Sequence, residues 1–364
     1  MMAPEYFVFT GGEIPDHVTH VLIDKALNFV RGRAFYGHPN IEEVICRDGV
    51  EKIGERAFCS CRRLRRVIMP GVKEVEREAF HSCLALTHIE CGKLEIIGHH
   101  AFHSCCLSLR RIDLPSIKIV GWYAFGYCTN LINVKFGKEL ESIGMFAFGG
   151  CRSLERITLP LKDGMITHDN IFQGCIKLNL VDLVEGAVLR ETVAALPMEE
   201  WRNDMNGEID AISQILPNTR AGRRWDDPGG KTRAIRVWIR SVLRKVVHYK
   251  SEHLRYLKIA AATLQPALPD DIVLKNVLPF LELPSHTFEG GHLLEDEDEP
   301  PAAHELALPQ DIVIMEEQVS HHFFDLASVA LPLVIVIISI LMGVIMHFRD
   351  DINVFGSKAL TDEL

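Results

Sequence analysis

A phenylalanine recurs along the first half of the chain, at Phe35, Phe58, Phe80, Phe102, Phe125, Phe148 and Phe172, with a period of 22 to 24 residues. Alanine precedes it in six copies and Ile171 in the last. A cysteine follows three residues later at Cys61, Cys83, Cys105, Cys128, Cys151 and Cys175, and His38 takes that slot in the first copy. A fixed period of this length restricts the chain to a solenoid, because one unit cannot cover its own apolar residues and must stack on its neighbours.

Each unit continues in the same way. A leucine three residues after the cysteine opens a short alternating run, Leu131, Val134 and Phe136 in the best-preserved copy. The same slots hold Leu64/Val67/Met69, Leu86/Ile89/Cys91, Leu109/Ile112/Leu114, Leu154/Ile157/Leu159 and Leu178/Val181/Leu183. Alternation with period two predicts a strand with Val134 and Phe136 inward and Asn133 and Lys135 outward. Pro70, Pro115 and Pro160 end three of these runs, since proline has no N–H to continue a ladder. The doubled Cys105-Cys106 adds a residue before Leu109 and predicts a bulge in that turn.

This pattern, Ala-Phe-x-x-Cys-x-x-Leu, strand, Pro, resembles the BspA-like leucine-rich repeat family over Val18 to Leu183. The resemblance implies an α/β leucine-rich-repeat solenoid of about seven curved parallel units whose role is recognition of another macromolecule. The stretch from Ala194 to Pro284 is similar to the tails of uncharacterised algal members and implies no activity. On the implied concave face the outward strand positions form two columns. The first reads Glu43, Arg66, His88, Arg111, Asn133, Arg156, Leu180, and the second Ile45, Ile68, Glu90, Asp113, Lys135, Thr158, Asp182. Arg66, His88, Glu90, Arg111, Asp113, Asn133, Lys135 and Arg156 are the candidate partner-binding face, because arginine makes bidentate contacts that lysine cannot.

The net charge of −10 is local. Ten of the 49 acids lie between Ser285 and Ser320, where no Lys or Arg occurs, so the other 39 balance the 39 Lys and Arg. All ten cysteines fall between Cys46 and Cys175, with no zinc-ligand spacing; the expectation is buried, reduced thiols acting as small apolar groups, Cys61, Cys83, Cys128 and Cys151 among them. Met1 to Pro15 has no basic residue and only a short apolar run, so no secretory signal is read there. Tyr6 to Gly12 and Val18 to Asp24 read as strands covering the open end of the stack.

After Glu185 the period stops. Met198 to Leu216 carries a helical apolar face through Trp201, Met205, Ile209 and Ile212, ended by Pro217. Thr232 to about Gln265 predicts a longer helix with Ile235, Ile239, Val242, Val246 and Tyr249 on one stripe. The first helix is acidic and the second basic, so antiparallel pairing would neutralise both. The basic charge alone is a poor argument for nucleic acid, which is not expected as a partner.

Gly229-Gly230-Lys231-Thr232 looks like the end of a phosphate loop, but Trp225 stands where the loop's first glycine belongs. Leu268 to Leu281 faintly resembles the opening of an F-box, with an echo at Leu308 to Val313, and otherwise reads as a proline-started helix. The pairs His99-His100 and His321-His322 lack further ligands and read as surface residues. No nucleophile–base arrangement is present, so neither catalysis nor a cofactor or metal is expected.

Residues 285–322 read as an acidic, extended linker, with Glu295 to Glu299 followed by Pro300-Pro301. Leu326 to Met346 is 21 residues without a charge, about 31 Å as a helix and enough to cross a bilayer. The organisation expected is a repeat solenoid with its cap (1–187), a helical module (188–284), the linker, one transmembrane helix within 323–348 and a short tail (349–364). The function expected is protein recognition or scaffolding by a single-pass, tail-anchored protein that touches the bilayer through Leu326 to Met346. The alternatives are a ubiquitin-ligase substrate adaptor and a cell-surface adhesin. With no leader read, the repeats are expected in the cytosol. Arg349 and Lys358 argue the other way, and the terminal Thr361 to Leu364 resembles an endoplasmic-reticulum retrieval signal.

Overall fold

The computed structural model describes residues 5–105, 108–222 and 230–264. Fifteen strands and three helices follow one another in it. They are β1 (Phe7–Phe9), β2 (His20–Ile23), β3 (Phe29–Val30), β4 (Glu43–Cys46), β5 (Lys52–Ile53), β6 (Arg66–Ile68), β7 (Glu74–Val75) and β8 (His88–Glu90). Then come β9 (Ile96–Ile97), β10 (Arg111–Leu114), β11 (Ile119–Val120), β12 (Asn133–Phe136), β13 (Ser142–Ile143), β14 (Arg156–Leu159), β15 (Leu180–Leu183), α1 (Gly186–Ala194), α2 (Glu199–Asn218) and α3 (Gly230–Leu264).

Each turn of the solenoid contributes to two rows of parallel strands. The longer strands pair in the order β1-β2-β4-β6-β8 and β10-β12-β14-β15. The two-residue strands, each ending on a Val or Ile, form a second sheet, β13-β11-β9-β7-β5-β3. This second row is absent from the sequence reading, because two residues are too few to show alternation. β1 and β2 cap the first unit as expected, in register Phe7↔Val21 and Val21↔Val44. The long row divides between β8 and β10, beside the cysteine doubling; residues 106–107, on which the expected bulge falls, lie outside the described residues.

The recurring phenylalanines stack into one column through the core. Successive rings from Phe35 to Phe172 are 4.6 to 5.7 Å apart and nearly parallel. That spacing is close to the distance between hydrogen-bonded strands, so one side chain per turn falls above its copy in the next. From Phe35 to Phe148 the turn that places each ring has left-handed backbone twice, two residues before and two after the phenylalanine. Arg56 (φ 55°) and Ser60 (φ 62°) fill these positions in the second unit. Non-glycine residues there carry strain that the stacked neighbours hold in place.

The cysteine slot does more than fill space. The buried Sγ–H of Cys61 donates to the Phe35 carbonyl at 2.9 Å, that of Cys83 to Phe58 at 3.1 Å, and that of Cys151 to Phe125 at 3.1 Å. Cys105 and Cys175 make the same bond. Burial pushes the Cys61 and Cys151 thiols up to about 12, so both stay protonated donors. In the first unit His38 replaces the cysteine and reaches the Pro15 carbonyl at 3.2 Å. Cys128 corrects the expectation of a reduced thiol in every copy: it is disulfide-bonded. Six slots of one residue type give no sequence signal that would set Cys128 apart. Cys61, Cys83 and Cys151 are free, as expected.

α1 is a further unforeseen element. α2 and α3 lie where the periodicity put them and pack antiparallel, with Lys245 Nζ 2.8 Å from Asp204 and 3.0 Å from Glu208. Pro217 does not end α2, which runs on to Asn218. The last turn holds because Asn218 Nδ2 and Thr219 Oγ1 donate to the Gln214 and Ile215 carbonyls. Among the described residues no helix is long and apolar enough to cross a membrane. Leu326–Met346, the F-box-like segment 268–281, its echo, the linker, His321-His322 and the C-terminal tail all lie outside them.

Candidate recognition surface

Strand register brings the two predicted columns onto one face. Glu43, Arg66 and His88 are Cα partners across β4, β6 and β8, and Arg111, Asn133, Arg156 and Leu180 are partners across β10, β12, β14 and β15. The division of the long row separates the two groups.

The eight candidate residues differ in how they are engaged. Arg66 reaches Glu43 at 3.4 Å and Glu90 at 3.3 Å, and His88 Nε2 lies 2.8 Å from the same Glu90 oxygen. The His88 hydrogen bond and the Arg66 guanidinium hold the Glu90 carboxyl below the usual carboxylate range. Arg156 pairs with Asp182 at 3.2 Å. Between these paired ends, Arg111, Asp113 and Lys135 are exposed and make no side-chain hydrogen bond or ion pair among the described residues. Beside them the Asn133 Oδ1 is buried without a hydrogen-bond partner among the described residues. A buried unsatisfied amide oxygen costs on the order of 1–3 kcal/mol.

The phosphate-loop-like Lys231 and Thr232 serve the fold instead. Lys231 is 2% and Thr232 0% exposed. The Lys231 ammonium donates to the Leu178 carbonyl and, at 2.9 Å, to that of Leu216. Two of its three donors are therefore committed to backbone.

A second set of part-buried and exposed rings lies along the turn edge. His99 Nδ1 accepts the Trp122 N–H at 2.9 Å, and the His100 ring stacks on Tyr123 at 5.2 Å. The His81 and His103 rings stack at 5.1 Å. The histidine pair His99-His100 thus belongs to an aromatic ladder rather than standing alone. The signal was available: aromatic residues recur at fixed offsets from the core phenylalanine. Among the described residues no cluster of His, Cys, Asp or Glu is arranged to hold a metal ion.

The sequence profile of BspA type leucine rich repeat regions matches residues 28–115 and 95–190, in six copies. The solenoid is a BspA-type leucine-rich repeat region. Proteins with such repeats are suited to recognition or adhesion. A leucine-rich repeat protein from Bacteroides ovatus is 30% identical, with a TM-score of 0.36, over 41% of this chain and 42% of its own. The T. pallidum leucine-rich repeat protein is 26% identical, with a TM-score of 0.33, over 44% of this chain and 68% of its own. The pneumococcal vaccine antigen PcpA is 14% identical, with a TM-score of 0.20, over 50% of this chain and 69% of its own. The chain thus spans less than half the length of the first of these. No curated protein matches it.

Proposed function

We propose that this protein is a non-enzymatic recognition or scaffolding protein that takes a protein partner on its long-strand face. The observation that carries the reading is the unengaged centre of that face: Arg111, Asp113, Lys135 and the orphaned Asn133 oxygen, flanked by side chains already paired. Groups of both signs that are unpaired among the described residues supply charge complementarity without an internal pairing to break. Proximity labelling on the full chain tests this. The double charge reversal Arg111→Glu/Lys135→Glu is expected to remove a discrete set of labelled proteins that Arg66→Ala retains. The same set labelled by both would count against the face.

The apolar run Leu326 to Met346 supports attachment to a bilayer, which alkaline extraction of membranes would check. A second reading, an adhesin facing an oxidising compartment, is favoured by the disulfide at Cys128. Non-reducing mass spectrometry of the protein from its own cells discriminates the two: a free Cys128 thiol fits a cytosolic scaffold, and an oxidised one the adhesin.

A further inference from the structure

The turn edge of the later repeats holds an open groove of about 450 Å³. Tyr123, Tyr127, Phe146, Arg152 and Ile176 line it, together with the backbone of Gly150. The repeat itself does not call for this lining. The slot two residues before the core phenylalanine has left-handed backbone and holds Arg33, Arg56, Glu78 and His100 upstream, but Tyr123 (φ 52°) and Phe146 (φ 53°) here. Bulky rings take that conformation at a cost. The slot two residues after holds Ser60, Ser82 and Ser104 upstream, then Tyr127 and Gly150. A Cβ at Gly150 would sit 2.9 Å from the Tyr127 ring, so the glycine leaves the room that ring occupies.

Stacking of Tyr123 on Phe146, at 4.8 Å, accounts for those two side chains. It does not account for Tyr127 and Ile176, which are 51% and 54% exposed on the same groove. Nor does it account for Arg152, whose guanidinium has no ion pair or hydrogen bond among the described residues. Among the described residues no carboxylate lines the groove.

We propose that this groove docks an extended peptide of a partner protein that presents an aromatic side chain flanked by carboxylates. The aromatic side chain stacks on Tyr127 and covers Ile176, and a neighbouring carboxylate takes the bidentate contact that Arg152 offers. Aromatic anchors with an arginine beside them are the groups that dominate binding energy at protein interfaces. The inference is independent of the long-strand face, which lies on a different row of the solenoid.

Fluorescence anisotropy with the full chain tests it, using fluorescein-labelled Asp-Glu-Phe-Asp-Glu, Asp-Glu-Ala-Asp-Glu and Lys-Lys-Phe-Lys-Lys. The first peptide is expected to bind at least about tenfold more tightly than the other two. Tyr127→Ala should weaken it by about 30-fold, a typical loss for an aromatic anchor, and Arg152→Glu by about tenfold or more. Both positions are exposed, and circular dichroism verifies that the variants fold. Arg111→Glu should change nothing. The proposal is overturned by no binding up to millimolar peptide, equal binding of all three peptides, indifference to Tyr127→Ala and Arg152→Glu, or loss of binding on Arg111→Glu alone. A dimer in sedimentation that Tyr127→Ala dissociates would also overturn it, by making a second copy the occupant.

Discussion

The Phe125 ring, fully buried between Phe102 at 5.3 Å and Phe148 at 5.3 Å, shows what one slot contributes. Phe125→Ala leaves a void that the rings above and below cannot close, since each is fixed by its own turn. The expected cost is about 3–5 kcal/mol, read by urea denaturation, against about 0.5 kcal/mol or less for the exposed Arg111→Ala. If the two variants rank the other way, the inside and outside assignments are wrong. His103 gives a prediction in pH. Burial, with His81 and His100 alongside, lowers its pKa to about 4, while the unfolded chain titrates near 6.5. The unfolded state therefore binds more protons between these values, and stability should fall as pH drops from about 6.5 towards 4, then level off for this group. With solvent screening the loss is about 1–2 kcal/mol, and His103→Phe should flatten that part of the profile. At this scale the sequence is informative where a slot repeats, as for Phe125 or Cys151. It is silent on backbone sign at Arg56 and Ser60, and the cysteine hydrogen bond to the preceding turn becomes visible only once turns are stacked. The disulfide at Cys128 was missed because six identical slots hid one unequal neighbour.

The three helices complete the open end of the stack by imitating a further turn. Along the solenoid each core phenylalanine N–H donates to the carbonyl one unit on, Phe125 to Ala147 and Phe148 to Ile171. Phe172 has no such neighbour, and its N–H donates to the Thr232 hydroxyl at 3.1 Å instead. Gly150 N–H donates to Gln173, and Gly174 N–H continues the series to Ala221 at 2.7 Å. Arg236 Nε fills in for a missing strand by donating to the Ile166 carbonyl at 2.7 Å, braced by Asp169 at 2.7 Å. Thr232→Val should leave the buried Phe172 N–H unpaired and cost about 1–3 kcal/mol, while Thr232→Ser retains the acceptor. Equal melting temperatures for the Val and Ser variants would refute this cap. The helices α2 and α3 were legible from their apolar faces and opposite charges. Their role was not, because Lys231 and Thr232 carry the spelling of a phosphate loop and only the packed arrangement turns them towards Leu178 and Phe172. α1 was missed because nine residues directly after a strand leave too little periodicity to read.

For the molecule as a whole, the fold could be read from its period, and most of its candidate face from the two-residue alternation of the strands. What the alternation could not separate is which outward side chains are engaged: Arg66 and Arg111 are the same residue in the same column, yet one lies between two carboxylates and the other makes no pair among the described residues. The unengaged group lies on β10 and β12, beyond the division of the long row after β8, and the proposed recognition centres there. A photo-crosslinking residue at position 135 tests this most directly, with the same residue at position 250 on α3 as reference. The account predicts a discrete protein adduct from position 135 that Arg111→Glu abolishes and that position 250 does not form. Identical adducts from both positions, or an adduct at 135 indifferent to Arg111→Glu, would contradict recognition through this face.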